Sequence, residues 1–216
     1  MWEGWGGAAD HTIIERCSIT DNGEGGLMFE GSANATIHDC VLRNNSRYGL
    51  YLSGNHFDIQ NVVIDSCVAQ GFALQSIPSR QCALKIAQES AIPSIFRNLT
   101  IRNCDMRNLF SGTYPTDPES VFENFLMVDN TYDHLQTYWN DPSLDQPIRF
   151  VNCYMPETPP VGEGTVVGLT PQFDDEIGFP WLSPTSPCID MGTSDPLTND
   201  QEDPDTPGFA LWPSQG

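Results

Sequence analysis

Basic residues are scarce in this chain of 216 residues: there are nine, against 29 acidic ones, the formal net charge is -20, and Lys85 is the only lysine. A surface this negative repels polyanions, which excludes nucleic acid and anionic membranes as partners and leaves divalent cations and neutral or cationic ligands. Long apolar runs are missing too, and none approaches the roughly 20 residues of a membrane span. Met1 to Asp10, MWEGWGGAAD, has neither the basic start nor the apolar stretch of a secretory signal. No Cys-x-x-Cys pair occurs among the seven cysteines, and His11, His38, His56 and His134 do not cluster with them, so the sequence offers no zinc site.

What the chain does have is one pattern written three times. Thr12 to Gly31, TIIERCSITDNGEGGLMFEG, matches Ala35 to Gly54, ATIHDCVLRNNSRYGLYLSG, at a shift of 23 residues. Ile14 meets Ile37, Cys17 meets Cys40, Ile19 meets Leu42, Asn22 meets Asn45, Gly26 meets Gly49, Leu27 meets Leu50 and Phe29 meets Leu52. A further shift of 22 lays Ile59, Val62, Ile64, Gly71, Phe72 and Leu74 under the same positions. Self-similarity at this period marks a solenoid, in which each coil buries its apolar side only against its neighbours. Apolar residues at alternate positions point inward from short strands, and the runs leave no room for a helix, so the coil is all strand and turn. A leucine-rich repeat, which needs a convex helical segment in each copy, is excluded on that ground.

The expected inward set is Ile14, Cys17, Ile19, Leu27, Phe29, Ile37, Cys40, Leu42, Leu50, Leu52, Ile59, Val62, Ile64, Phe72 and Leu74. Asn22 and Asn45 are expected in left-handed turns and to stack, with Gly26 and Gly49 supplying backbone freedom. With this repeat the sequence resembles the right-handed parallel β-helix family, the fold of pectate lyases and many bacterial surface proteins. The expected fold class is therefore all-β, a single-stranded right-handed parallel β-helix. Cys17 and Cys40 share one inward slot and Cys104 falls under Cys67. A strand spacing of about 4.8 Å is compatible with the Cα separation of a disulfide. Buried thiols acting as small apolar residues are the simpler reading, and with an odd number of cysteines at least one has no partner within the chain.

After Leu74 the period breaks and Ser76 to Ser94 is expected as an inserted loop. The pattern resumes in FRNLTIRNC from Phe96, and the motif Phe-x-Asn returns at Phe122 and Phe150, spaced by 26 and 28 residues. Each leads another coil, giving about six coils over a domain spanning 1–155. Ser76 to Ser94, Met106 to Ser120 and Thr131 to Gln146 are expected to leave the same corner as stacked lateral loops, where function concentrates. The richest is TYDHLQTYWNDPSLD. Tyr132, Tyr138 and Trp139 offer flat faces to sugar rings, and Asp133, His134 and Asp141 offer hydrogen bonds or proton transfer. These six are the candidate ligand-binding residues. The resemblance also implies a rival, polysaccharide lyase or glycoside hydrolase chemistry. A lyase of that family needs a basic residue and a carboxylate calcium site. Arg43 and Arg47 fall near Asp39 and Asp65 of adjacent coils, but no acidic residue repeats at one coil position. Catalytic residues are left unassigned.

From Pro156 the composition changes: eleven of the 17 prolines lie between Pro156 and Pro213, and no lysine, arginine or histidine follows Arg149. Residues 156–216 form an irregular, acidic, proline-rich closing segment in which Phe173, Trp181, Leu182 and Ile189 are candidates to clamp on the solenoid. Its SPCIDMG core resembles the segment that closes many secreted bacterial β-helix repeat proteins, in which an acidic stretch leads on to a "DIGAYGG" ending that this chain lacks. That resemblance implies export, to the cell surface or the medium. Asp195, Asp200, Glu202, Asp203 and Asp205 make a calcium candidate, since hard cations take several oxygen ligands from a flexible loop. The chain is expected to be truncated at both ends, with self-association through an uncapped coil. The function expected from all this is an extracellular bacterial module that binds a glycan or another surface.

Overall fold

A computed structural model describes residues 11–68, 82–88, 94–113, 121–136, 149–154, 162–163, 171–174, 181–183 and 185–188. The described residues form strands and turns with no helix: β1 (Thr12–Glu15), β2 (Ser18–Thr20), β3 (Leu27–Arg43), β4 (Tyr48–Asp65), β5 (Cys82–Gln88), β6 (Ile95–Arg102), β7 (Asp105–Thr113), β8 (Val121–Val128), β9 (Thr131–Gln136), β10 (Arg149–Val151), β11 (Gly162–Glu163), β12 (Phe173–Asp174) and β13 (Trp181–Leu182). All pairings except the short β12–β13 ladder are parallel. β1 and β2 lie on β3, and β3 lies on β4. The second half of β4 continues through β6, β8, β10 and β11, while its first half continues through β5, β7 and β9. The chain is a parallel β-solenoid with two stacks of strands around one interior.

The interior follows from the alternation of the sequence. Ile37, Cys40, Leu42, Leu50, Leu52, Ile59, Val62, Ile64, Phe96, Leu99, Ile101, Phe122, Phe125 and Phe150 are buried in one cluster, with Ile14, Ile19, Leu27 and Phe29 packed half-buried against it. The Phe-x-Asn motif has a physical meaning at each rung. Phe96, Phe122 and Phe150 stack along the axis, with ring centroids 4.5 and 5.3 Å apart. Two residues on, the chain turns a corner in the left-handed region, where Asp39, Asn61, Asn98, Asn124 and Asn152 all have φ between 51° and 55°. Asparagine and aspartate tolerate that conformation better than other side-chain-bearing residues. Each side chain also bonds the next rung: Asn61 Nδ2 donates to Asp39 Oδ1, Asn98 Nδ2 to Asn61 Oδ1 and Asn124 Nδ2 to Asn98 Oδ1, each at 2.9 Å.

A second corner corrects the expectation for Asn22 and Asn45. The left-handed residues there are their predecessors, Asp21 and Asn44, followed on lower rungs by Ser66, Asn103 and Asp129. Asn22 and Asn45 do stack, Asn22 Nδ2 donating to Asn45 Oδ1 at 3.0 Å, and Asn45 Nδ2 reaches the Ile19 carbonyl at 2.9 Å. Below them the slot is filled by Cys67, Cys104 and Asn130. The Cys67 Sγ lies 3.7 Å from the Leu42 carbonyl, the Cys104 Sγ 3.8 Å from that of Ile64, and Asn130 Nδ2 donates to that of Ile101 at 2.8 Å. Amide and thiol thus serve in turn as the donor that ties each corner to the preceding rung. Gly26 and Gly49 act through space rather than backbone freedom: a Cβ on Gly26 would strike the Gly49 carbonyl, and one on Gly49 the Ile64 side chain.

Two further expectations are overturned. The residues under Leu50 and Leu52 are Leu84 and Ile86, not Phe72 and Leu74. Ser76 to Ser94 therefore contains a strand, β5, and Met106 to Ser120 and Thr131 to Gln146 likewise contain most of β7 and all of β9. The repeat is stretched by a longer connection after Val68, so a fixed shift of 22 carries the comparison into that connection instead of the next strand. Cys17 occupies the expected slot above Cys40 but is exposed, because it lies on the outermost described rung.

Beside the solenoid, β12 and β13 form an antiparallel pair in which Phe173 aligns with Leu182. Phe173, Leu182 and Cys188 pack with Leu126, Val128 and Tyr154 on the outer side of the second half of β8. This contact explains why Leu126 and Val128 are buried although they point away from the interior.

Candidate functional site

The middle residue of each Phe-x-Asn motif alternates with inward neighbours and so faces outward. Register places Glu15, His38, Gln60, Arg97 and Glu123 in one row across β1, β3, β4, β6 and β8, with Ile13, Thr36, Asp58, Ile95 and Val121 in a parallel row two residues earlier. The described members of this face hold one another. Gln60 Nε2 donates to Asp58 Oδ1 at 2.8 Å, and His38 Nε2 stands 3.5 Å from the same oxygen without hydrogen-bond geometry. Arg97 Nε donates to Glu123 Oε2 at 2.7 Å, with both side chains a little over one-fifth exposed. His11 Nε2 and Thr36 Oγ1 are 2.8 Å apart at the upper end. The result is a strip of carboxylate, imidazole, amide and guanidinium groups on the rungs of β1, β3, β4, β6 and β8, which ends at Val151 on β10.

Around the left-handed corner the outward row is Arg43, Asp65 and Arg102. Asp65 is 3% exposed and accepts from Arg43 Nε at 2.8 Å, Arg102 Nε at 3.2 Å, Ser66 Oγ at 3.0 Å and Asn103 Nδ2 at 3.3 Å. Arg102 also lies over the Phe173 ring, 4.7 Å from its centroid. This node joins three rungs and, through Phe173, the β12–β13 pair. Its members are satisfied by one another, which marks it as structural.

The described thiols are free. Burial pushes Cys40 up to about 11 and Cys153 up to about 12, and it also raises Cys104 and Cys188. Cys67 is lowered by the hydrogen bond from Cys104. Buried neutral thiols of this kind pack as small apolar groups.

Of the candidate ligand-binding residues, Tyr132 is the second residue of β9 and packs half-buried against the interior cluster. Asp133 and His134 follow on β9, where His134 pairs in register with Asn108. Tyr138, Trp139 and Asp141 lie outside the described residues, as do Met1 to Asp10 and the calcium candidates Asp195, Asp200, Glu202, Asp203 and Asp205. Among the described residues no three His, Cys, Asp or Glu side chains gather as a metal site. No described helix is long and apolar enough to cross a membrane. The outward row carries no recurring residue type in the sequence, and register alone makes its members neighbours.

No curated protein and no solved structure matches the chain. Residues 5–105 match the model of a family described as a right handed beta helix region, and with the parallel solenoid this match assigns the fold to the right-handed β-helices.

Proposed function

We propose that the chain is an extracellular bacterial module that binds a glycan, or another surface, along the side of its solenoid. The observation that supports this most is the outward row Glu15, His38, Gln60, Arg97 and Glu123, which repeats polar groups at intervals of about 4.8 Å. An extended polymer with recurring hydroxyls meets such a row at several rungs at once, so individually weak contacts add. The carboxylates Asp58 and Glu123 are already tied to Gln60 and Arg97, which suits hydrogen bonding to a neutral ligand better than proton transfer. The net charge of -20 favours neutral over acidic polymers. Where loops were expected, the stacked strands β5, β7 and β9 provide a second lateral side, and Asp133 and His134 on β9, with Tyr132, Tyr138, Trp139 and Asp141, are proposed as further ligand contacts.

Incubation with a panel of pectins, alginates and neutral glycans tests this. The expected outcome is retention of a neutral glycan with no new reducing or unsaturated ends. Cleavage products that disappear when Asp133 or His134 is changed would establish a polysaccharide lyase or glycoside hydrolase instead. Failure to retain any glycan would remove the proposed ligand class.

A further inference from the structure

Two pairs of cysteines stack on neighbouring rungs, and they differ in access. Cys67 and Cys104 are 0% and 1% exposed, with strands hydrogen-bonded on both sides: Val68 bridges Ser46 above and Asp105 below, and Asp105 pairs with Thr131. Cys17 and Cys40 have the same stacking. The flanking residues pair in register, Glu15 with His38 and Ser18 with Val41, and the Val41 amide donates to the Cys17 carbonyl at 2.9 Å. Each thiol leans back on the carbonyl two residues before it, Cys17 Sγ on Glu15 at 3.2 Å and Cys40 Sγ on His38 at 3.1 Å. Cys40 Sγ also approaches the Ile14 carbonyl of the upper rung at 3.7 Å. Here, however, the upper thiol is exposed while the lower is buried. Among the described residues, the rung of Cys17 has a hydrogen-bonded neighbour on one side alone.

We propose that Cys17 and Cys40 form a thiol–disulfide exchange site, with Cys17 the entry thiol and Cys40 the resolving thiol, for small cationic disulfides. Rungs about 4.8 Å apart lie within the Cα range of a disulfide, and closure asks the Cβ atoms to approach to about 3.5–4.5 Å. Among the described residues the Cys17 rung is paired on one side alone, which leaves it room to tilt, whereas the rungs of Cys67 and Cys104 are paired on both. The Cys17 thiolate attacks one sulfur of a disulfide RSSR, the S–S bond breaks, and one RS⁻ leaves. The Cys40 thiolate then attacks the Cys17 sulfur and expels the second RS⁻. The two cysteines are oxidised, RSSR is reduced to two thiols, and the protons of Cys17 and Cys40 pass to them. A cationic reagent is favoured by the net charge of -20 and by Glu15, Asp21 and Asp39 nearby.

Burial holds the Cys40 thiol up at about 11, against a smaller lowering by the Cys17 backbone, and the charges of Cys17 and Asp39 raise it further. The second step should therefore be slow at neutral pH and quicken about tenfold per pH unit below that value.

The test treats the folded full chain with cystamine at neutral and alkaline pH and follows intact mass. Cys17 and Cys40 share one tryptic peptide, so mapping uses cleavage at Glu24 and Glu30, which lie between them. The native chain should pass through a cysteamine adduct on Cys17 and finish lighter by two hydrogens, with the two peptides linked until reductant is added. Cys40→Ser and Cys40→Ala should stop at the adduct, and Cys17→Ser should do neither. A native chain that keeps the adduct at alkaline pH, that does not react at Cys17, or that links Cys67 to Cys104 while folded would overturn the proposal.

Discussion

Arg102 and Asp65 sit one rung apart with their side chains 8% and 3% exposed and 3.2 Å between Nε and Oδ1. Asp65 is also the acceptor for Arg43 from the rung on its other side. Removing the carboxylate breaks the buried pair with the Arg102 guanidinium, a change that costs about 3–5 kcal/mol in comparable buried pairs. Asp65→Ala is therefore expected to lower the denaturant midpoint by that amount of stability in an equilibrium urea titration. Arg43→Ala, at a side chain 28% exposed, should cost about 1 kcal/mol or less. Equal effects of the two would contradict the buried node.

Phe122 lies between Phe96 and Phe150, and all three rings are fully buried. Phe122→Ala should destabilise by about 3–5 kcal/mol, since a cavity opens between two rings that cannot close on each other. Phe122→Leu should recover a good part of this. Chemical denaturation of both variants checks the order.

Asn98 combines a φ of 51° with a ladder in which it donates to Asn61 and accepts from Asn124. Asn98→Ala loses the ladder and also carries a side chain in the left-handed region, which adds about 1–2 kcal/mol. Asn98→Gly loses only the ladder. The glycine variant should therefore melt above the alanine variant, the reverse of the order at an ordinary strand position.

Cys153 is held neutral by burial, its ionisation pushed up to about 12, while an unfolded thiol ionises near about 8.5. Between those values the folded state binds one more proton than the unfolded state, so stability falls as pH rises, by up to about 1.4 kcal/mol per pH unit for this group. Below about pH 8.5 the contribution is fully present. Melting temperatures measured from pH 8 to 11, roughly the window in which an unfolded thiol ionises and this one does not, should decline less steeply in Cys153→Ala than in the native chain.

The regular coils were legible because their inward residues recur at a nearly fixed interval. Ile14 with Ile37, Cys17 with Cys40 and Ile19 with Leu42 are rung partners both in the sequence alignment and in the register. The stack of Phe96, Phe122 and Phe150 was legible for the same reason. Phe72 and Leu74 misled because apolar alternation does not reveal how long a connection is. The correct partners Leu84 and Ile86 each sit twelve residues further along, in CALKIAQ. Which of two adjacent corner residues is left-handed was also beyond the pattern, since Asp21 and Asn22, like Asn44 and Asn45, both favour turns. The outward row escaped notice because its members differ in charge and size, and only register makes them neighbours.

The central claim is that this row binds ligand. Its most direct test compares a glycan retained by the native chain with the same glycan offered to a Gln60→Ala/Arg97→Ala/Glu123→Ala variant, by titration calorimetry. These side chains are partly exposed, so the variant should melt close to the native chain while its affinity falls at least about tenfold, or about 1.4 kcal/mol. Unchanged affinity in a variant that still folds would contradict the claim and move binding away from this face.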